Sequence, residues 1–219
     1  MRATDASHGH KPLLRGWTHA VSFPLMAVAG TALVVLAHLT LPHRLILAVY
    51  VAGTATMFLV SALYHRGRWS VPAKALMQKL DRSAIFLAIG GGYTPIAWLC
   101  LHGRTRTAVL IGVWFGAALG MAIQWIPAVP RAIRGASYII VSWIAVFTMP
   151  QLLHGLGTGG FLLVMSAGAC YTLGALALAT RWPDPWPKVF GFHEVFHACT
   201  VVAASLHFVA IATVVAPRL

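Results

Sequence analysis

His193 and His197 stand four residues apart, so on a helix they share one face and can grip a single metal ion from successive turns. With 11 histidines in 219 residues, such a pair arises by chance about half a time per chain. The spacing therefore gains meaning only in company. His65 supplies it, because it closes one apolar run just as His193 and His197 open another. Three imidazoles with one position left for water form the ligand set of a catalytic zinc, whereas structural zinc is usually closed by four protein ligands. The plainer alternative is a set of helix-end histidines hydrogen-bonded at a membrane surface.

Two further side chains are expected near that cluster. Ser61 lies four residues before His65 and projects from the same helical face, though a hydroxyl there also bonds readily to the carbonyl one turn back. Asp81 sits between Lys79 and Arg82, where an ion pair or a helix N-terminal charge is its ordinary use. Beside a metal the same carboxylate can hold and deprotonate a water. His207 is ten residues beyond His197, about 15 Å further along a helix, and is expected to pack or to face the outer leaflet. His102 and His154 fall in outside loops, and His8, His10 and His19 precede or border the first span; none receives a role.

Glu194 makes the last pair read His-Glu-Val-Phe-His, which is also the metalloprotease pattern with glutamate as base. A protease of that type would need a carboxylate ligand deep in another span. Asp5, Asp81 and Asp184 are the only aspartates and Glu194 the only glutamate, and Asp81 at a helix start is poorly placed. Glu194 is therefore expected as an interfacial side chain, about 100° around the helix from His193.

The scaffold for these residues is a membrane bundle. Hydrophobic residues make up 59% of the chain and charged residues 9%, against about 25% charged in a soluble domain, and mean hydropathy is +0.79. A cytosolic globule, a disordered chain, a collagen and a coiled coil are excluded by that composition. Seven apolar runs are bounded by charge or by Pro and Gly: residues 21–39, 45–64, 84–101, 108–126, 138–153, 161–179 and 195–216. The first follows Lys11 and Arg15 as a signal peptide would, but it runs past an ordinary apolar core of such a peptide and is read as a retained anchor. Trp17, Trp69, Trp98, Trp125, Trp182 and Trp186 fall near run ends, as interfacial aromatics do. Small residues at Gly112, Gly116 and Gly120 allow close helix approach, and Gly90 to Gly92 with Pro95 allow a bend. No internal repeat supports an inverted-repeat transporter.

Of the 16 Lys and Arg, all but Arg44, Arg104, Arg106 and Arg218 fall on one alternate side of the runs. That places the N-terminus in the cytoplasm and, with seven spans, the C-terminus outside. The expected architecture is an all-α integral membrane protein, a seven-transmembrane-helix bundle. A short cytoplasmic segment would occupy residues 1–20, the membrane domain 21–216 and an outside tail 217–219. The net charge of +12 belongs to cytoplasmic loops facing anionic lipid, and no nucleic-acid partner is expected. Cys100, Cys170 and Cys199 lie in apolar stretches without a CxxC and read as buried thiols.

Ser61-Ala-Leu-Tyr-His65, the run from Leu80-Asp81-Arg82 through Phe86 to Gly92-Tyr93-Thr94-Pro95, and His193-Glu-Val-Phe-His197 resemble the hemolysin III family. This is the bacterial branch of the progestin and adiponectin receptor superfamily, and the likeness extends in order over nearly the whole membrane core. It implies a multi-pass protein of the bacterial inner membrane, with Zn2+ held by His65, His193 and His197 and with Asp81 and Ser61 beside the metal and its water. The wider superfamily is similar to alkaline ceramidases. Hydrolysis of a lipid amide or ester follows as one implied activity, with Asp81 orienting the water or taking its proton and Ser61 bonding the water or the developing oxyanion. Membrane lipids are the implied partners. The alternative is a non-enzymatic membrane sensor or regulator whose zinc is structural. A retinal-type pump fails because the seventh run has no Lys for a Schiff base, and a pore-forming toxin lacks an amphipathic strand set.

Overall fold

The computed structural model describes residues 11–219 and is helical throughout its spans. In chain order the helices are α1 (Trp17–Leu36), α2 (Leu41–Arg66), α3 (Val71–Cys100), α4 (Gly103–Trp125), α5 (Arg131–Ser142), α6 (Met149–Thr180) and α7 (Phe192–Ala210). Proline stands in the first turn of α2, α3 and α6, at Pro42, Pro72 and Pro150, where its missing N–H costs nothing and its fixed φ suits the helix. Among the described residues, six helical stretches are long and apolar enough to cross a membrane; the fifth of them runs from Arg131 to Thr180 through α5 and α6. Large apolar side chains such as Leu25, Val28, Ile111, Phe115 and Val202 stand exposed on the outer faces, which suits lipid as solvent and not water. Residues 1–10, with Arg2, His8 and His10, lie outside the described residues.

α3 is the central helix, packed against α2, α4, α5 and α6. Its union with α2 depends on glycine. A Cβ on Gly91 would fall 2.9 Å from the Val49 carbonyl oxygen, and one on Gly53 would meet the Leu87 carbonyl. Two backbones pressed this closely are held in a single antiparallel register. With 53 facing 87 and 49 facing 91, the register continues to bring Ser61 beside the turn that contains Asp81. Gly90 to Gly92 serve as packing positions within a helix that continues to Cys100, admitting Trp114, the α2 backbone and His207.

The apolar runs mislocate two elements. α3 begins at Val71, not near residue 84, so Asp81 lies ten residues inside the helix and does not open it. The lysines and arginine of its first turns, Lys74, Lys79 and Arg82, dilute the hydropathy of a segment that is nonetheless helical. The run 138–153 is interrupted, since α5 ends at Ser142 and a 3-10 turn at Val146–Thr148 leads into α6. Tyr93 on α3 donates its hydroxyl hydrogen to the freed Ser142 carbonyl at 2.6 Å.

Within α6, Gly157 takes φ 68° and ψ 170°, a conformation open only to glycine. Before this break Gly155 presses on Cys100; after it Gly160 meets Val214, and Gly174 meets Cys199. The chain after Gly157 therefore runs antiparallel to α7. The segment before it runs parallel to α3, because Tyr138 bonds the Arg82 carbonyl and Tyr93 the Ser142 carbonyl.

Candidate metal centre

The last turn of α2 and the first two turns of α7 meet at one end of the bundle. His65 and His197 are buried and His193 nearly so, and among the described residues these three form the cluster able to hold a metal ion, with one nitrogen from each within 4.8 Å of the others. His65 Nε2 and His193 Nε2 are 3.3 Å apart. Ring centroids of His65 lie 4.9 Å from those of both His193 and His197, and those two lie 4.7 Å from each other. Zinc–nitrogen bonds of 2.0–2.1 Å in a tetrahedron place neighbouring nitrogens about 3.3 Å apart. The donor set and the closest spacing both fit a zinc-sized ion.

Asp81 comes to the same place. Its Oδ2 is 4.0 Å from His65 Nε2, the ring nitrogen that faces His193. The buried Ser61 hydroxyl lies beside the Asp81 side chain, so one α2 face supplies both a histidine and a polar neighbour of the carboxylate. All five residues singled out from the sequence are thus brought together by α2, α3 and α7.

Three further contributors come from the start of α1 and the segment leading into it, to which the sequence reading gave no role in the site. His19 is 3% exposed and stacks on His197, with centroids 4.0 Å apart and planes 19° from parallel, and it meets Phe58 in an edge contact at 5.1 Å. Neither of its ring nitrogens reaches a partner in hydrogen-bonding geometry, the polar group alongside being the His197 backbone. Lys11 Nζ donates to the His65 carbonyl oxygen, and Arg15 Nε pairs with Glu194 Oε1. Burial lowers the Lys11 pKa, and Arg15, Arg66 and Lys74 lower it further while Glu194 opposes them. The available signal was the placement of Lys11, Arg15 and His19 at four-residue intervals leading into α1.

Glu194 corrects the sequence reading. It is not interfacial but buried, at 2% exposure. Its Oε2 accepts the Gly191 N–H at 3.0 Å, reaching back from the first turn of α7 to its N-cap backbone, while Oε1 meets Arg15. With both oxygens committed away from the histidines, it is not placed as the base of a metalloprotease. His207 packs inside the bundle against Tyr50, at 5.9 Å between centroids, and takes no part in the cluster.

Comparison with known proteins agrees with this assembly. Residues 7–208 match the family described as haemolysin-III related. The chain is 28% identical to "Hemolysin-3" of Bacillus cereus over 204 residues, covering 91% of this chain and 90% of that protein. It is 27% identical to the "Hemolysin-3 homolog" of Bacillus subtilis (strain 168) over 137 residues, 62% of this chain and 61% of the relative. It is also 27% identical to the "Heptahelical transmembrane protein ADIPOR2" of Oryza sativa subsp. japonica over 184 residues, 74% of this chain and 79% of the relative. The match spans α1 to α7 and takes in every residue of the cluster, so the chain belongs to the hemolysin III family, within the progestin and adiponectin receptor superfamily.

Proposed function

We propose that this protein is a seven-pass hydrolase of the bacterial plasma membrane that cleaves an amide or ester bond of a membrane lipid at a zinc held by His65, His193 and His197. The observation that carries the reading is the Asp81 carboxylate, 4.0 Å from His65 Nε2, with the buried Ser61 hydroxyl beside it. Three histidine donors, with the carboxylate standing off at 4.0 Å from the nearest ring nitrogen, leave a fourth position for water, whereas a purely structural zinc is usually closed by four protein ligands. When bound, zinc polarises water and carbonyl oxygen. Asp81 Oδ2 takes the proton of the attacking water and returns it to the leaving group. Ser61 Oγ, with one hydrogen to give, bonds the water or the negative charge that develops beside it. The stacked His19 and His197 rings, with Phe58, exclude bulk water from one flank.

Seven passes follow from counting Arg131–Thr180 as two, with the reversal at Gly157, and a relative that carries the description heptahelical supports that count. The basic residues favour a cytoplasmic N-terminus and an outside C-terminus, which puts the site at the cytoplasmic face. Residues 1–20 then form the cytoplasmic lead, 21–216 the membrane domain and 217–219 the outside tail. The bacterial relatives support the inner membrane as location.

Asp81→Asn is the direct test. With a fluorogenic lipid amide in mixed micelles, the variant should keep its zinc and lose about a hundredfold or more in turnover. Wild-type turnover by Asp81→Asn would remove the catalytic assignment.

A further inference from the structure

Apart from the histidine rings themselves, α2 and α7 make little close backbone approach, whereas α1 packs against both. Something other than direct α2–α7 packing must fix the separation of His65 from His193 and His197. The lead into α1 makes the required contacts on both sides. On the α2 side, Lys11 bonds the carbonyl of His65 itself, and a Cβ on Gly16 would fall 2.6 Å from His65 Cβ, so the backbone lies directly against that residue. Gly16 also has φ 80°, a turn that L side chains resist. On the α7 side, Leu13 N and Leu14 N donate to the carbonyls of Lys188 and Val189 at 3.0 and 3.1 Å, just ahead of α7. Arg15 then reaches Glu194, which lies between the two histidines in sequence.

We infer that Arg15 and Glu194 are positioning residues for the metal centre: their ion pair sets the first turn of α7, and with it His193 and His197, at ligating distance from His65. The inference rests on the metal reading above but assigns to the HExxH glutamate a task other than base or ligand. The physical reason is burial. At 2% exposure the Glu194 carboxylate requires a cation, and removing Arg15, itself 21% exposed, leaves a buried charge that the first turn of α7 must move to hydrate. Moving that turn moves both histidines with it.

The test is zinc affinity of the purified full chain in detergent, by competition with a chromophoric chelator, for wild type, Arg15→Ala, Glu194→Gln and the double variant. Gln keeps an oxygen for the Gly191 N–H, so the helix cap survives while the ion pair is lost. Each single variant should weaken zinc on the order of tenfold or more, the range for groups that orient metal ligands. The double variant should lose little beyond either single, because one contact is removed in all three. Arg15→Lys should recover part of the affinity. With cobalt(II) in place of zinc, the visible bands of both single variants should shift, reporting altered ligand geometry where a purely global loss of stability would leave them in place. Wild-type affinity in both single variants, or losses that add in the double, overturns the inference. A wild-type protein that takes up no zinc overturns the metal reading together with it.

Discussion

His65 Nε2 and His193 Nε2 lie 3.3 Å apart although 128 residues separate them in the chain. Two imidazole nitrogens at this distance, with a third ring beside them, are arranged to share a cation.

Removing any one of the three ligands should abolish stable metal binding. His65→Ala, His193→Ala and His197→Ala are expected to lose zinc by elemental analysis. Their melting temperatures in detergent should become indifferent to a strong chelator, whereas the wild-type value should fall on chelation, because metal free energy is also folding free energy.

His19 tests how much of the site is stacking. His19→Ala removes the ring that lies 4.0 Å from His197 and should weaken zinc severalfold. His19→Phe restores a flat face without nitrogens and should recover most of that loss. Equal losses for Ala and Phe would show that the nitrogens matter and the stack does not; chelator competition distinguishes the two.

Gly120 lies against the ring of the fully buried Phe86, and an added Cβ would overlap that ring. Gly120→Ala should cost about 1–3 kcal/mol, the usual penalty of overpacking a core. Gly168→Ala, where nothing lies within 4 Å of the new Cβ, should be neutral or slightly stabilising. Equilibrium unfolding in mixed detergent micelles measures both.

His207 carries a buried Nε2 with no hydrogen-bond partner. His207→Leu removes that unsatisfied group and should leave zinc content unchanged while holding or raising the melting temperature. Loss of zinc in this variant would place His207 in the site after all.

Much of the fold was legible because lipid imposes one simple rule, an apolar run for each crossing. The clustering of His65, His193 and His197 was legible because they mark the ends of such runs at one face. The start of α3 was not, since Lys74, Lys79 and Arg82 give its first turns the composition of a loop. Glu194 was misread for a different reason: its environment depends on Arg15, 179 residues away, and no local pattern announces a partner that distant. The stack of His19 on His197 is hidden in the same way, because α1 and α7 become neighbours only once the bundle closes.

The placement of the ligands on α2 and α7 has a consequence for biosynthesis. The ribosome delivers His65, Ser61 and Asp81 long before His193 and His197, and the earlier three pack as a finished hairpin of α2 and α3. No nascent chain shorter than 197 residues can complete the histidine cluster. On the metal reading proposed above, loading is therefore confined to chains whose final helix has docked, and a stalled or truncated product would stay unloaded.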